Sequence, residues 1–391
     1  MALRDVYLDN AATTYCNGEV FFAMQPYFIS NFGTPDSLHQ IGADAKQAID
    51  NARATVASII NADPEEIYFT SGATEANNWV IKGIVEASDI KRVIVSEIEH
   101  PSVIETTRWL AANGVEVDYV KVDENGIISI PDLLAKLSKP ACLVSVMTAN
   151  HEVGTVQYIN TIANICAQNN VYFHTDATQA IDSVHIDVKE MEITALSLSG
   201  HKIYGPKGIG ALYLKKGTRI ATFMHGGHQE HGYRAGTYNV PAIVGLGKAI
   251  EICMRDNNVN NARIKQLRDY FIKEVENKIP AVKLNGHRTQ RLASNVNFSF
   301  QAIEGESITT LLALQGICAA TGSASSNEWL SRSHVLQAMG VSDEMINGSV
   351  RFTLGRSTTK EDIDYTVEHL ITIVHRLRAM SPLKIGGTKN V

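Results

Sequence analysis

The chain has 391 residues, 45% of them hydrophobic and 19% charged, which suits about two domains with packed cores and excludes a fibre, a coiled coil and wholesale disorder. The net charge of -6, from 41 acidic against 35 basic side chains, gives no sequence-wide field for nucleic acid or anionic lipid, so no direct nucleic-acid binding is expected. No stretch approaches the roughly 18 unbroken apolar residues of a membrane span and no apolar leader core opens the chain. Five scattered cysteines (Cys16, Cys142, Cys166, Cys253, Cys318) suit reduced thiols, so a cytoplasmic protein is expected.

In chain order, β-branched runs predict strands over 67–69, 92–96, 115–121, 142–147, 171–175, 194–198 and 208–214. Between them, amphipathic stretches predict helices beginning near Glu75, Ser102, Pro131 and Thr161. This alternation is the signature of an α/β fold with a mostly parallel sheet covered by helices on both faces, whose strand ends carry the site. After about residue 260 the rhythm changes. A helix is predicted over 262–278 and a half-exposed strand over 294–300. A helix over 307–315, strands over 317–320 and 349–353, and a last helix over 360–380 follow. The expected organisation is a large domain over 15–260, a smaller α+β domain from 1–14 with 261–380, and a tail over 381–391.

The strongest local signal is Ser199-Gly-His-Lys-Ile-Tyr-Gly-Pro-Lys-Gly-Ile-Gly210, where Lys202 follows an apolar strand and precedes a glycine-rich turn. Apolar surroundings disfavour the ammonium form, and a neutral amine is what carbonyl chemistry requires of a lysine. By position alone a solvated structural lysine is equally compatible. Asp176 ends another apolar strand, where a carboxylate needs a cation, a strong donor or an N-cap role. Tyr68-Phe-Thr-Ser-Gly-Ala-Thr-Glu-Ala76 combines a strand, a small-residue turn and a helix start, which can hold a phosphate on free backbone N–H groups.

Together with Asp9-Asn-Ala-Ala-Thr13, Ser71-Gly-Ala-Thr-Glu-Ala-Asn77, Glu99-His-Pro-Ser-Val103, Asn150-His-Glu-Val-Gly154, Asp176-Ala-Thr-Gln179, Arg234-Ala-Gly-Thr237 and Val350-Arg-Phe-Thr-Leu-Gly-Arg356, these motifs closely resemble the NifS/IscS-type cysteine desulfurases. Those are pyridoxal 5'-phosphate enzymes of the class V aminotransferase group, and the resemblance runs in order from Tyr7 to about Met380. It implies the fold type I architecture of pyridoxal-phosphate transferases, with a seven-stranded sheet in the large domain. Lys202 would carry the cofactor and move the substrate's α-proton. Asp176 would face the pyridine nitrogen, His100 would stack on the ring, and Gln179 would bond its phenolic oxygen. Ala73, Thr74, Ser199 and His201 would hold the phosphate, helped by Thr237 from a second subunit, which implies a homodimer. Asn150 would contact cofactor and substrate, and Arg351 would grip the substrate carboxylate with its planar guanidinium. The substrate would be L-cysteine, with a sulfur-acceptor or scaffold protein as partner, as in iron–sulfur cluster assembly.

The pattern departs at Gly-Gly-His228-Gln-Glu-His231, at Ser331-Arg-Ser333, which lacks the family's proline, and, with a chemical consequence, at one loop position. Thr321-Gly-Ser-Ala-Ser-Ser326 places Ser325 where the family carries its loop cysteine, and an unassisted serine hydroxyl is neither ionised nor strongly nucleophilic near neutral pH. Formation of a persulfide there is expected to fail. A lyase or aminotransferase-like activity that needs no enzyme thiol, and a silent docking platform, are the competing readings. His174 and Arg356 read as structural residues, Cys318 as core packing, and the His225, His228 and His231 loop as a glycine-rich turn without a metal.

Overall fold

The computed structural model describes residues 4–321, 332–383 and 385. Twelve strands are assigned among them. These are β1 (Val6–Tyr7), β2 (Ile67–Thr70), β3 (Arg92–Ser96), β4 (Glu116–Val120), β5 (Leu143–Ser145), β6 (Tyr172–Asp176), β7 (Ala195–Ser199), β8 (Gly210–Leu214), β9 (Val282–Leu284), β10 (Asn295–Phe300), β11 (Ile317–Cys318) and β12 (Ser349–Thr353). Seven form one sheet in the order β2-β8-β7-β6-β5-β3-β4, parallel except for β8, which runs against both neighbours. The α/β expectation therefore holds. Its inner strands are covered on both faces: Arg92 to Ser96 and Ala195 to Ser199 are buried throughout.

One face packs on the helices Gln40–Ile59 and Ile159–Gln168 and the first half of Val240–Lys278, the other on Ala73–Ala87 and Pro101–Ala112. The helix Gln40–Ile59 has no counterpart in the sequence reading. Its buried stripe is Ala45, Ala48, Ala52 and Val56, too small-sided to stand out as an apolar period, and His39 caps its N-terminus by accepting the Gly42 N–H.

A second core surrounds the three-stranded antiparallel sheet β12-β10-β9, with Phe271, Phe298 and Phe352 at its centre. The half-exposed strand expected over 294–300 is instead buried on both faces. Its polar face is satisfied internally: Asn285 donates to Asn297 and Ser299, and Asn297 donates to the Glu152 carbonyl. The helix expected over 262–278 is the second half of one 39-residue helix, Val240–Lys278, whose early residues enter the first core and whose late residues enter the second. Residue 260 thus falls inside a continuous helix.

The N-terminal segment stitches the two cores together. β1 pairs in parallel with β11, Asp9 bridges Thr353, and the Thr14 hydroxyl donates to the His201 carbonyl at 3.0 Å. The segment between, residues 9–14, runs past the C-terminal ends of β6 and β7, where loops from the parallel strands converge.

Candidate active site

A cavity of about 570 Å³ opens at these strand ends. At one end, β2 turns through Ser71 and Gly72 into the helix Ala73–Ala87. No side chain caps this helix, so its first-turn N–H groups remain available to an anion. The turn lies hard against β8: a Cβ on Gly210 would sit 2.7 Å from the Gly72 Cα and 2.5 Å from the Leu198 carbonyl oxygen. Only glycine at 210 lets the helix start approach Ser199. Ala73, Thr74, Ser199 and His201 line this end together with Lys207, so the four predicted phosphate residues share one wall. Burial, then Lys202 and Lys207, push His201 down to about 4, which keeps the ring neutral beside the Thr13 hydroxyl at 3.1 Å.

Lys202 lies in the floor, where its Nζ donates to the carbonyls of Ala11 at 2.5 Å and Ala12 at 2.7 Å. Burial, followed by the nearby Arg351 guanidinium, lowers its pKa to about 8, although Asp176 and Asp9 pull the other way. Desolvation outweighs two carboxylates, so an appreciable share of the amine is unprotonated near neutral pH. Gln179 donates to the Ala11 carbonyl at 2.9 Å and also lines the cavity.

Asp176 ends β6 with both oxygens oriented. Oδ2 accepts from Asn77 at 2.7 Å and Oδ1 from the Thr178 N–H at 3.0 Å. The capping role and the cavity role considered for Asp176 are thus compatible. Asn77 also donates to Ser102, whose hydroxyl lies 2.9 Å from His100 Nδ1. His100 caps the helix Pro101–Ala112 by accepting the Ser102 N–H at Nδ1. That bond leaves the ring proton on Nε2 and spends the free lone pair. Burial lowers the His100 pKa further, so the neutral form is favoured.

At the other end, Arg351 donates from Nη1 to the His151 carbonyl and from Nη2 to Asp9, each at 3.0 Å, while its buried Nε has no partner among the described residues. Each terminal nitrogen keeps a second N–H, which is what an incoming carboxylate needs. Asn150 does not line the cavity, contrary to expectation. Its oxygen accepts the N–H groups of Glu152 and Val153 and its nitrogen donates to the Ile98 carbonyl, so the amide holds the loop. Thr237 is exposed and away from this cavity in the single chain. Ser325 lies outside the described residues.

Two buried carboxyls flank the site. Glu99 accepts from Ser96 and from the Met147 N–H, but its Oε2 has no partner among the described residues, and burial raises its pKa to about 8. Glu152 accepts from Ser333, and burial raises it to about 7. A folded-state pKa above the unfolded value means that the protonated acid stabilises the fold. That contribution is complete below about pH 4.5 and is lost as pH rises through about 8 for Glu99. Glu99→Gln is therefore expected to stabilise the protein at pH 9 relative to the native chain, with little difference at pH 4. Urea unfolding at both pH values measures this, and an equal shift at each pH would contradict it.

Elsewhere, His174 is fully buried between the hydroxyls of Ser145 at 2.8 Å and Ser197 at 3.0 Å, a satisfied core histidine. Arg356 lies over the Tyr204 ring at 4.4 Å and donates to Asn257. Cys318, expected in the core, is exposed because β11 is an edge strand paired only with β1. Among the described residues no group of three or more His, Cys, Asp or Glu is placed to hold a metal. The sequence reading passed over Asn77, Ser102 and His151. Asn77 was detectable, since a polar residue continues the Ala73, Ala76, Val80 buried face at helical spacing. His151 left no such signal.

A class V aminotransferase model matches residues 6–366. A cysteine desulfurase IscS of Methanosarcina thermophila is 50% identical over 382 residues, covering 97% of this chain and 94% of the relative. The human cysteine desulfurase is 43% identical over 386 residues, or 97% of this chain and 84% of that one. Among solved structures, a NifS-like protein superposes with a TM-score of 0.90 at 34% identity, over 96% of this chain and 100% of that chain. With a half-buried lysine, an oriented aspartate and an uncapped helix start converging on one cavity, these likenesses place the chain in the class V aminotransferase family, among the IscS/NifS cysteine desulfurases.

Proposed function

We propose that the chain binds pyridoxal 5'-phosphate and L-cysteine and carries out the early steps of cysteine desulfuration, with persulfide formation blocked by Ser325. The observation that carries this reading is Lys202, a half-buried amine lowered to about 8 in a cavity that also holds Asp176, His100 and an uncapped helix N-terminus. The donor set fits the cofactor. Ala73, Thr74, Ser199 and His201 would hold its phosphate, Asp176 its pyridine nitrogen, Gln179 its phenolic oxygen and Lys202 its aldehyde carbon. Bound there, pyridoxal phosphate supplies an electron sink for the substrate's α-carbon.

The remaining work belongs to side chains of this protein. Arg351 binds the substrate carboxylate through its unspent N–H bonds and fixes the α-carbon's orientation. Lys202, as a free amine, takes and returns the α-proton. Asn77 and the Thr178 N–H each donate to one oxygen of Asp176 and so fix the orientation of the carboxyl group. His100, with its proton on Nε2, presents a donor to the cavity. At the sulfur, a loop thiolate would attack, and Ser325 offers no such group.

Ser325 itself favours the second reading, expulsion of a β-substituent without an enzyme thiol, which would give pyruvate and ammonia. A homodimer is part of the proposal. Phe21, Phe22, Phe28, Ile29, Phe32 and Leu38 are all exposed within one stretch of chain, an apolar surface suited to a second copy, and Thr237 is free to reach a neighbour's site. A sulfur-acceptor protein, a role in iron–sulfur cluster assembly and a cytoplasmic setting complete it. No helix among the described residues is long and apolar enough to cross a membrane.

The direct test is cofactor loading. Only the unprotonated Lys202 amine attacks an aldehyde, so the rate at which the cofactor-free protein takes up pyridoxal phosphate is expected to rise with pH through a midpoint near about 8. Stopped-flow absorbance from pH 6 to 10 measures it. A midpoint in the ordinary lysine range, above pH 10, would contradict the assignment of Lys202.

A further inference from the structure

His151 is the group in the cavity wall that the proposed chemistry leaves without a task. It lines the cavity with a residue exposure of 6%, and neither ring nitrogen has a hydrogen-bond partner among the described residues. Leaving two buried polar atoms unpaired costs stability unless something else pairs with them. The nearest carboxylate oxygen, on Glu152, is 3.9 Å from Nε2 and beyond hydrogen-bond reach. The ring meets His100 edge-on, with centroids 5.3 Å apart.

Its position relative to the substrate follows from the backbone. The His151 carbonyl is held by Arg351 Nη1 at 3.0 Å, so the ring begins within one residue's width of the carboxylate grip. The groups facing it are His100, Arg351, His334, Lys202 and Glu152. Burial and the surrounding cations keep the ring neutral, with one nitrogen always a free acceptor. His100 cannot serve that purpose, because its acceptor nitrogen is taken by the Ser102 N–H.

We propose that His151 is a specificity-determining residue that accepts a hydrogen bond from the substrate's β-thiol, and so selects an amino acid bearing that thiol over one with only a β-hydrogen. The inference rests on the L-cysteine reading above. A neutral imidazole suits a weakly acidic S–H donor and offers no attraction to a β-carboxylate. The contact is a hydrogen bond only, and no atom is transferred.

The test compares L-cysteine and L-alanine binding to the cofactor-loaded protein by absorbance titration, for the native chain, His151→Leu and His151→Gln. His151→Leu is expected to weaken L-cysteine binding about 5- to 10-fold and to change L-alanine binding less than about 2-fold. His151→Gln, which retains an acceptor, is expected to recover part of the loss. Because leucine removes two unpaired polar atoms, the cofactor-free variant should unfold at the same urea concentration as the native chain or a higher one. Equal losses for both amino acids, or a cysteine preference that persists in His151→Leu, would overturn the role of His151 alone. A native chain with no preference for L-cysteine would overturn the substrate reading and this inference together.

Discussion

Lys202→Ala is expected to abolish the visible absorbance of the loaded protein and to lower turnover of any amino acid by about 10³-fold or more, since it removes both the cofactor's covalent anchor and the proton carrier. The fold should survive. Lys202 gives up two hydrogen bonds to Ala11 and Ala12, but its own desolvation cost disappears with it. Urea unfolding of the cofactor-free variant should therefore differ from the native chain by about 1 kcal/mol or less. The experiment also separates an enzyme from a docking platform. Partner binding retained alongside unchanged amino-acid turnover would remove Lys202 from the mechanism.

Ser325→Cys should have the second large effect, in the opposite direction. Placing a thiol where the family carries its loop cysteine is expected to raise alanine formation from L-cysteine on the order of 10³-fold and to create a protein-bound persulfide that the native chain lacks. Side-by-side assays of alanine, sulfide and alkylatable persulfide decide it. The exposed Cys318 makes mass mapping of the labelled residue necessary. Rapid alanine and persulfide in the native chain would contradict the block. Pyruvate and ammonia from the native chain would select the lyase reading instead.

Much of the sheet was legible because parallel strands buried on two faces spell themselves out as β-branched runs, and β3 falls on 92–96 as predicted. The phosphate wall and Lys202 were legible because each sits in a contiguous motif attached to a strand end. Failures occurred where contiguity is lost. Asn150 belongs to a site motif, yet tertiary context turns its amide into the backbone of its own loop. β10 looked half-exposed because Asn297 and Ser299 alternate with phenylalanines, and nothing local reveals that Asn285 arrives to satisfy them. His151 is silent in one dimension, since a histidine without partners has no sequence pattern. The helix Gln40–Ile59 is hidden for a different reason: its buried residues are mostly alanine, which packs a helix closely against α-carbon backbone without raising the apolar signal.

The N-terminal segment has a consequence for the life of the molecule on the ribosome. Residues 9–14 are made long before their partners: Ala11 is held by the Thr353 hydroxyl, 342 positions later, and Asp9 by Arg351. The same segment supplies the carbonyls that seat Lys202. Residues up to Thr353 must therefore emerge before residues 9–14 can take the place that completes the cavity, and contacts of such high sequence separation form late in folding. A nascent chain can assemble its large sheet while still attached, but it cannot finish the pocket. The seat of Lys202 is in this sense a late product of synthesis: it forms only once the chain has been made past Thr353 and has folded.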